Sequence, residues 1–255
     1  MTNIVTLVKM VPDLVEELEI NDDGTDLDRD WLRLIINEFD NHAIEQAILL
    51  KERDGGEITV IAPEAEGVED MLFTTAAKGA DRMIKLTGDL EEGVNNHALA
   101  RAFAERAKSF QPDLILTGVQ ANDDLDGPVG PLVAEYLGMP YVGYISKVTL
   151  EEGIAIVQKE YPGGLIGEME VRLPAVLGIQ AGEEPPRYVA ISKVRQMMKT
   201  VEIDEQEIPE LDLGGGIAPS RMYLPEAAER AEMIEGDEDE IATKLIAIFK
   251  EVGAL

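Results

Sequence analysis

The sequence predicts an α/β protein with a doubly wound, mostly parallel sheet. Across residues 1–180, short runs rich in β-branched residues alternate with stretches in which apolar residues recur at helical spacing. Glycines close several of the helical stretches, as is common at helix C-termini. Strands separated by helical patterns of about 10–15 residues indicate βαβ units and a parallel sheet. In such a sheet, ligands bind beyond the carboxyl ends of the strands, where the strand order reverses.

The elements of this α/β part follow one another in a regular order. The expected strands are Ile4–Val8, Glu57–Ala62, Asp81–Leu86 and Asp113–Thr117. The expected helices are Asp26–Ile36, a stretch from Asp40 to the stop at Gly55, Glu69–Gly79, Asn95–Ser109 and Gly127–Leu137. The alternation supports a single α/β domain over residues 1–200.

After Pro140 the pattern changes to closely spaced strands, turns and a charged tail. The expected elements are antiparallel strands at Val142–Leu150, Ile154–Glu160 and Glu168–Leu173, a buried strand at Leu173–Ile179 and a helix at Ser192–Thr200. Val201–Gly216 is extended and poor in core residues, and Leu224–Val252 has the pattern of a charged amphipathic helix. We therefore expect residues 201–255 to form an extended arm and a C-terminal helix that packs on a partner subunit.

The composition excludes several classes of function. The chain has 255 residues, of which 22 are basic and 51 acidic, and its net charge of −29 disfavours nucleic acid and anionic membrane surfaces as partners. With no cysteine and two histidines, it has no thiolate site and no metal-spaced His pair. It has neither an apolar run of about 18 residues nor a signal-peptide pattern, so we expect a cytoplasmic protein without membrane insertion.

The first candidate site is the polar loop Gln120–Pro131, which follows a buried strand and leads into a helix. Gly127 lets backbone approach a ligand, and Val129 and Gly130 place free N–H groups at a helix start, where anions bind. The loop's acceptors are Asn122, Asp123 and Asp124, and the carboxylates that a metal would use are Asp123, Asp124 and Asp126. The same residues are compatible with a plain polar loop with an Asp N-cap and, less favoured, with a divalent metal site.

Three smaller segments are further candidates, each with a purely structural interpretation beside the functional one. Asn37 and Asp40 precede a helix, where Asp40 is a natural N-cap. Lys9 ends the first strand and faces the ligand crevice, or is a surface lysine. The charged loop Glu183–Tyr188 either docks a partner or is a plain connecting loop that contains prolines. No Ser/His/Asp set and no Gly-Lys-Ser/Thr phosphate loop is present, so no catalytic residue is predicted.

These segments resemble the β subunit of electron transfer flavoproteins, also called the FixA-type subunit. The resemblance covers nearly the whole chain and rests on several weak motifs that occur in the right order. They are LVKMVPD at Leu7–Asp13, INEFDNHAIEQAILLKE at Ile36–Glu52, AAKGADRMIKL at Ala76–Leu86, the segment Pro112–Pro140, LPAVLGI at Leu173–Ile179 and PPRY at Pro185–Tyr188. The chain departs from the family at Glu38, where members have Pro, and at Pro128, which lacks an N–H.

The resemblance implies a sheet of the adenine nucleotide alpha hydrolase-like type and a heterodimer with an α subunit that carries the redox FAD. The β subunit of such a protein holds a structural AMP, or a second FAD in electron-bifurcating members. The complex carries electrons from flavin dehydrogenases, such as acyl-CoA dehydrogenases, to a quinone oxidoreductase or another acceptor.

The resemblance also assigns residues. The cofactor-binding residues would be Leu7, Val8, Lys9, Asn37, Phe39, Asp40, Ala62, Pro63, Gly118, Gln120, Ala121, Asn122, Asp123, Asp124, Asp126, Gly127, Pro128, Val129 and Gly130. The partner-recognition loop maps to Gln180–Ser192, with Glu183, Glu184, Pro185, Pro186, Arg187 and Tyr188 as its contacts.

Two questions stay open at this level, the identity of the nucleotide and the class of protein. The loop reads QANDDLDGPVGP and lacks the Asp-Gly-Asp of bifurcating members, which favours AMP narrowly over a second FAD. A non-redox nucleotide-binding sensor would share the α/β architecture, although the Gly-rich ATP loop expected of that class is missing. An assembly scaffold whose site stays empty is the third possible class.

Overall fold

A nine-stranded sheet organises the computed structural model, which describes residues 2–88, 94–125, 127–208, 212–217, 219–225, 231 and 233–254. The strands are β1 Asn3–Leu7, β2 Met10–Pro12, β3 Leu34–Ile36, β4 Glu57–Pro63, β5 Arg82–Thr87, β6 Leu114–Gly118, β7 Tyr141–Glu151, β8 Ile154–Tyr161, β9 Leu165–Arg172, β10 Ala175–Ile179 and β11 Ile203–Glu207. The helices are α1 Glu38–Asp54, α2 Val68–Lys78, α3 Asn96–Ser109, α4 Val129–Leu137, α5 Ile191–Thr200 and α6 Glu238–Glu251.

The order of the strands in the large sheet is β11-β5-β4-β1-β6-β10-β7-β8-β9. The strands from β11 to β7 pair in parallel, whereas β7, β8 and β9 form an antiparallel meander. From β1 the chain moves through β4 to β5 and then returns to β6 on the other side of β1. The order therefore reverses between β1 and β6, as the doubly wound prediction requires.

Two apolar layers cover the two faces of the sheet. One contains buried residues of α1 and α2, such as Ile44, Ile48 and Leu72. The other contains buried residues of α3 and α4, such as Phe103 and Val133. Because parallel strands are covered on both faces, β6 and β10 are buried along their whole length and β1 is buried after its first residue, rather than on alternate residues.

The prediction of a helix at Asp26–Ile36 is wrong. The last three residues of this segment form β3, which pairs antiparallel with β2, and Trp31 is exposed. The Asn21 side chain accepts hydrogen bonds from the backbone N–H groups of Thr25 and Asp26, and Asp28 accepts one from Asp30. Short polar side chains that bind nearby backbone in this way compete with helix formation.

The segment predicted as an arm joins the sheet in part. β11 pairs in parallel with β5, and the buried Lys85 of β5 forms ion pairs with Glu205 of β11 and Glu69 of α2. The chain accordingly divides into a unit Met1–Arg221 and a unit Met222–Leu255, rather than after Thr200.

The second unit contains α6, which is shorter than the helix predicted at Leu224–Val252. Among the described residues of that range, those before Glu238 are not helical. The Asp237 side chain accepts from the N–H of Glu240 and caps the helix, so the helix begins where a competent N-cap stands. Within the described residues, no helix combines the length and the apolar composition needed to cross a bilayer.

Candidate functional site

A pocket lies at the carboxyl ends of β1 and β6, where the strand order reverses. It is lined by Leu7, Val8, Lys9, Asn37, Asp40, Phe103, Thr117, Gly118, Gln120, Ala121, Asp124 and Val129. All but Phe103 and Thr117 belong to the residues named from the sequence. The topology of the sheet thus brings four separate stretches of sequence into one cavity.

The Asp40 carboxylate joins the ends of the two central strands. Its Oδ2 accepts from the backbone N–H of Lys9 at 2.9 Å, and its Oδ1 accepts from the backbone N–H of Gly118 at 2.7 Å. The sequence favours Asp40 as the N-cap of α1, but Asn37 occupies the N-cap position and Asp40 lies in the first helical turn. Its side chain is therefore free to turn away from the helix and bind the strand ends.

Burial raises the pKa of Asp40 to about 6, although the N–H groups of Lys9 and Gly118 act in the opposite direction. The carboxyl is almost fully shielded from water, and desolvation disfavours its charged form. The two donors still keep it mostly ionised at neutral pH.

Gly118 is required by this arrangement. A Cβ at this position would lie 2.5 Å from Oδ1 of Asp40 and 2.8 Å from its backbone nitrogen. Both distances are too short for a real contact, and the second involves backbone that cannot rotate away. Any side chain at residue 118 would therefore push α1 from the end of β6.

The charge of Lys9 is neutralised inside the protein. Its Nζ lies 2.7 Å from Oδ1 of Asp123 and 2.9 Å from Oδ1 of Asp124. Burial alone lowers the pKa of Lys9, but the two carboxylates outweigh it and the pKa is raised. The lysine thus ties the end of β1 to the loop after β6, and its charge is not free to meet an anion.

Asn96, the first residue of α3, is a site residue that the sequence does not reveal. Its Nδ2 donates to Oδ1 of Asp124 at 2.7 Å and to the carbonyl of Gly127 at 2.9 Å. The only hint in the sequence is the pair Asn95-Asn96 at a helix start, where Asn95 alone explains the pattern because it caps α3. Asn96 fixes both arms of the polar loop.

Other predicted residues hold the loop and α4 in place. Asn122 donates to the carbonyl of Pro12, while Asn37, at the pocket wall, donates to the carbonyl of Gln120 at 2.9 Å. Gly130 allows α4 to approach the sheet, since a Cβ there would lie 2.7 Å from the Thr117 hydroxyl.

Several predicted residues do not line the cavity. These are Phe39, Ala62, Pro63, Asn122, Asp123, Gly127, Pro128 and Gly130. Asp126 lies outside the described residues. Ala62 and Pro63 end β4, one strand further from the reversal point, whereas Phe39 packs beside Gly118.

The first turn of α4 and the Thr117 hydroxyl offer hydrogen-bond donors to a ligand. The N–H groups of Val129 and Gly130 have no partner within the helix, and the helix dipole makes this end positive. The buried Thr117 Oγ1 has no hydrogen-bond partner in the part of the chain that the structure describes. Sequence reasoning missed Thr117 because a threonine inside a buried strand is ordinary.

The loop predicted for partner recognition is anchored on α1. Arg187 binds the carboxylate of Glu45 through its backbone N–H and its Nε, at 2.9 and 2.7 Å, and it also pairs with Glu52. The N–H of Gly182 donates to Nδ1 of His42 at 3.1 Å. Tyr188 remains 86% exposed. The loop is thus held rigidly while its tyrosine faces outward.

The described residues contain no group of three or more His, Asp or Glu side chains arranged to hold a metal ion. The acidic side chains nearest the pocket instead bind Lys9, Asn96 and backbone N–H groups.

The fold and the site define a doubly wound α/β protein with a polar crevice at its switch point. The family model of the electron transfer flavoprotein domain matches residues 27–211. The electron transfer flavoprotein subunit beta of Methylophilus methylotrophus is 34% identical over 260 residues, covering 97% of this chain and 98% of that protein. The corresponding subunit of Syntrophomonas wolfei is 34% identical over 253 residues, covering 97% and 95%. That of Thermoanaerobacterium thermosaccharolyticum is 31% identical over 252 residues, covering 96% of each. The chain belongs to the electron transfer flavoprotein β-subunit family.

We predict that the Asp40 carboxyl titrates near pH 6 in the folded protein. Since its unfolded pKa is near 4, the native state binds this proton more tightly, and the associated stability is lost as the pH rises from about 4 through 6. Carboxyl ¹³C NMR should show a resonance with a midpoint near 6 that is missing in Asp40→Asn. A midpoint near 4 for Asp40 would contradict the buried clamp.

Proposed function

We propose that this chain is the β subunit of a heterodimeric electron transfer flavoprotein and binds AMP in the pocket between β1 and β6. The α subunit would carry the redox FAD, and the complex would pass electrons between flavin dehydrogenases and a quinone oxidoreductase or another acceptor. Family membership supports the subunit assignment. The observation that supports the nucleotide is the pairing of a helix N-terminus with the unpartnered Thr117 hydroxyl at one wall of the pocket.

The residues present fit a single phosphate group. The amides of Val129 and Gly130 and the hydroxyl of Thr117 would hold it at the positive end of α4. Pro128 and Pro131, at and just after the start of this helix, have no N–H and remove two further donors. These few hydrogen-bond donors suit the one phosphate of AMP better than the two phosphates of FAD.

The balance of charge also supports AMP. Lys9 forms ion pairs with Asp123 and Asp124, and Asp40 adds another carboxylate to the wall of the pocket. A second negatively charged phosphate would enter a site whose cation is already paired, at a cost in electrostatic energy. The carboxylates of the loop would instead accept hydrogen bonds from the ribose hydroxyls.

In this proposal the nucleotide is structural, and the flavin of the α subunit supplies the redox chemistry. The residues of this chain close the crevice between β1 and β6 and fix the polar loop. The loop Gln180–Ser192, which Arg187 holds against α1, would meet the dehydrogenase, with Tyr188 as its exposed apolar surface.

The C-terminal helix α6 would bind the α subunit. Ile241, Leu245, Ile248, Phe249 and Val252 recur at helical spacing, and none of the side chains of α6 is buried. A helix with an uncovered apolar stripe of this kind gains stability when another surface covers it.

Release of the bound small molecules from the purified heterodimer by denaturation tests the assignment. We expect about one AMP and one FAD per heterodimer, measured by chromatography and by absorbance near 450 nm. Two flavins per heterodimer would establish FAD rather than AMP as the occupant of this site. A purified heterodimer without any nucleotide bound to this chain would refute nucleotide binding.

Thr117→Val should weaken AMP binding about tenfold, because it removes one hydrogen bond to a charged phosphate while it keeps the shape of the side chain. Thr6→Val is the matched control. Its hydroxyl is also buried without a partner among the described residues, and it lies on the neighbouring strand outside the pocket lining. Calorimetric titration with AMP should therefore leave Thr6→Val at the wild-type affinity. Equal affinities for all three proteins would rule out Thr117 as a phosphate ligand.

Phe249→Glu should weaken the heterodimer about tenfold or more, because it places a charge on the apolar stripe of α6. Ala247→Glu puts the same charge on the opposite side of the helix and should leave assembly unchanged. Size-exclusion chromatography at falling concentrations distinguishes the two. Heterodimers of equal stability would show that α6 does not bind the α subunit.

A further inference from the structure

Tyr141, the first residue of β7, lies across glycines of three different elements. A Cβ built on Gly143 of β7 would lie 2.6 Å from the Tyr141 hydroxyl, and one on Gly178 of β10 would be closer still. A Cβ on Gly130 of α4 would lie 2.9 Å from the ring and 3.4 Å from the hydroxyl. The three glycines therefore form a cradle that the tyrosine side chain fills.

The Tyr141 side chain is partly buried, and its hydroxyl makes no hydrogen bond within the part of the chain that the structure describes. Burial raises the pKa of this phenol to about 12, with a further contribution from the charges of Tyr144 and Asp124. The group therefore stays protonated and remains a donor. A tyrosine hydroxyl in a largely buried position usually has a hydrogen-bond partner.

The cradle places this donor at the first turn of α4. The built Cβ of Gly130 lies 2.7 Å from the Thr117 hydroxyl and 2.9 Å from the Tyr141 ring, so both side chains pack beside this residue, although Tyr141 itself is not among the residues that line the pocket. Thr117 lines the pocket, is 3% exposed and has no partner among the described residues. Two hydroxyls thus flank one helix start at which Pro128 and Pro131 have removed backbone donors.

We propose that the Tyr141 hydroxyl donates a hydrogen bond to the phosphate of the bound nucleotide and makes the site selective for a phosphorylated nucleoside. The proposal rests on the proposed nucleotide-binding function. Tyr141 and Thr117 take the place of the amides that the two prolines lack. A phenylalanine would fill the glycine cradle equally well, so packing alone does not account for the hydroxyl.

The test compares AMP with adenosine on three versions of the full-length chain, each purified with its α subunit and freed of bound nucleotide. The variants are Tyr141→Phe, which removes only the hydroxyl, and Tyr144→Phe, a matched control three residues along the same strand. Isothermal titration calorimetry gives the dissociation constant of each ligand. Thermal unfolding confirms that both variants are folded.

We expect Tyr141→Phe to bind AMP about tenfold more weakly than the wild type while its affinity for adenosine is unchanged. Tyr144→Phe should match the wild type for both ligands. If Tyr141 has a purely structural role, the substitution should change the affinities for AMP and adenosine equally or change neither. Either result would overturn the inference, while AMP binding by the wild type would still support the proposed function. Failure of the wild type to bind AMP would overturn both.

Discussion

The site depends on one carboxylate that bridges two strand ends. In a doubly wound sheet the chain leaves the two central strands in opposite directions, which opens a crevice at their carboxyl ends. The crevice keeps one shape only if a contact fixes the distance between those two ends. Asp40 does so by accepting one N–H from Lys9 and one from Gly118. The absence of a Cβ at residue 118 lets α1 come close enough for this contact. Helix position, strand ends and loop geometry are thereby fixed together.

In the proposed function, the same part of an acidic chain holds the phosphate of the nucleotide. Lys9 is engaged in internal cross-links to Asp123 and Asp124, so a ligand meets few free cations. What remains are dipoles: the amides at the start of α4 and a buried hydroxyl. Fixed dipoles bind a single phosphate without the need to bury another full charge. The pairing of Lys9 with the two aspartates therefore explains both why the pocket is polar and why it offers a ligand few hydrogen-bond donors.

The sequence predicts the sheet, its switch point and most of the pocket wall because these follow from local patterns. Apolar runs and glycine stops set β1 and β6, and their order sets where the crevice lies. The contacts that decide the chemistry are long-range and leave no local pattern. Asp40 looks like an ordinary N-cap, and Asn96 is hidden behind the capping Asn95. β11 has the pattern of an arm because an edge strand with one acidic, solvated side lacks an apolar run.

Amide hydrogen exchange at Lys9 and Gly118 tests the central claim most directly. In the wild type both N–H groups should exchange slowly at neutral pH, since each is buried and bound to the Asp40 carboxylate. In Asp40→Ala both should exchange at least tenfold faster, and the affinity for AMP should fall with them. Unchanged protection at both amides in the variant would show that the strand ends are held by other contacts and would contradict the account.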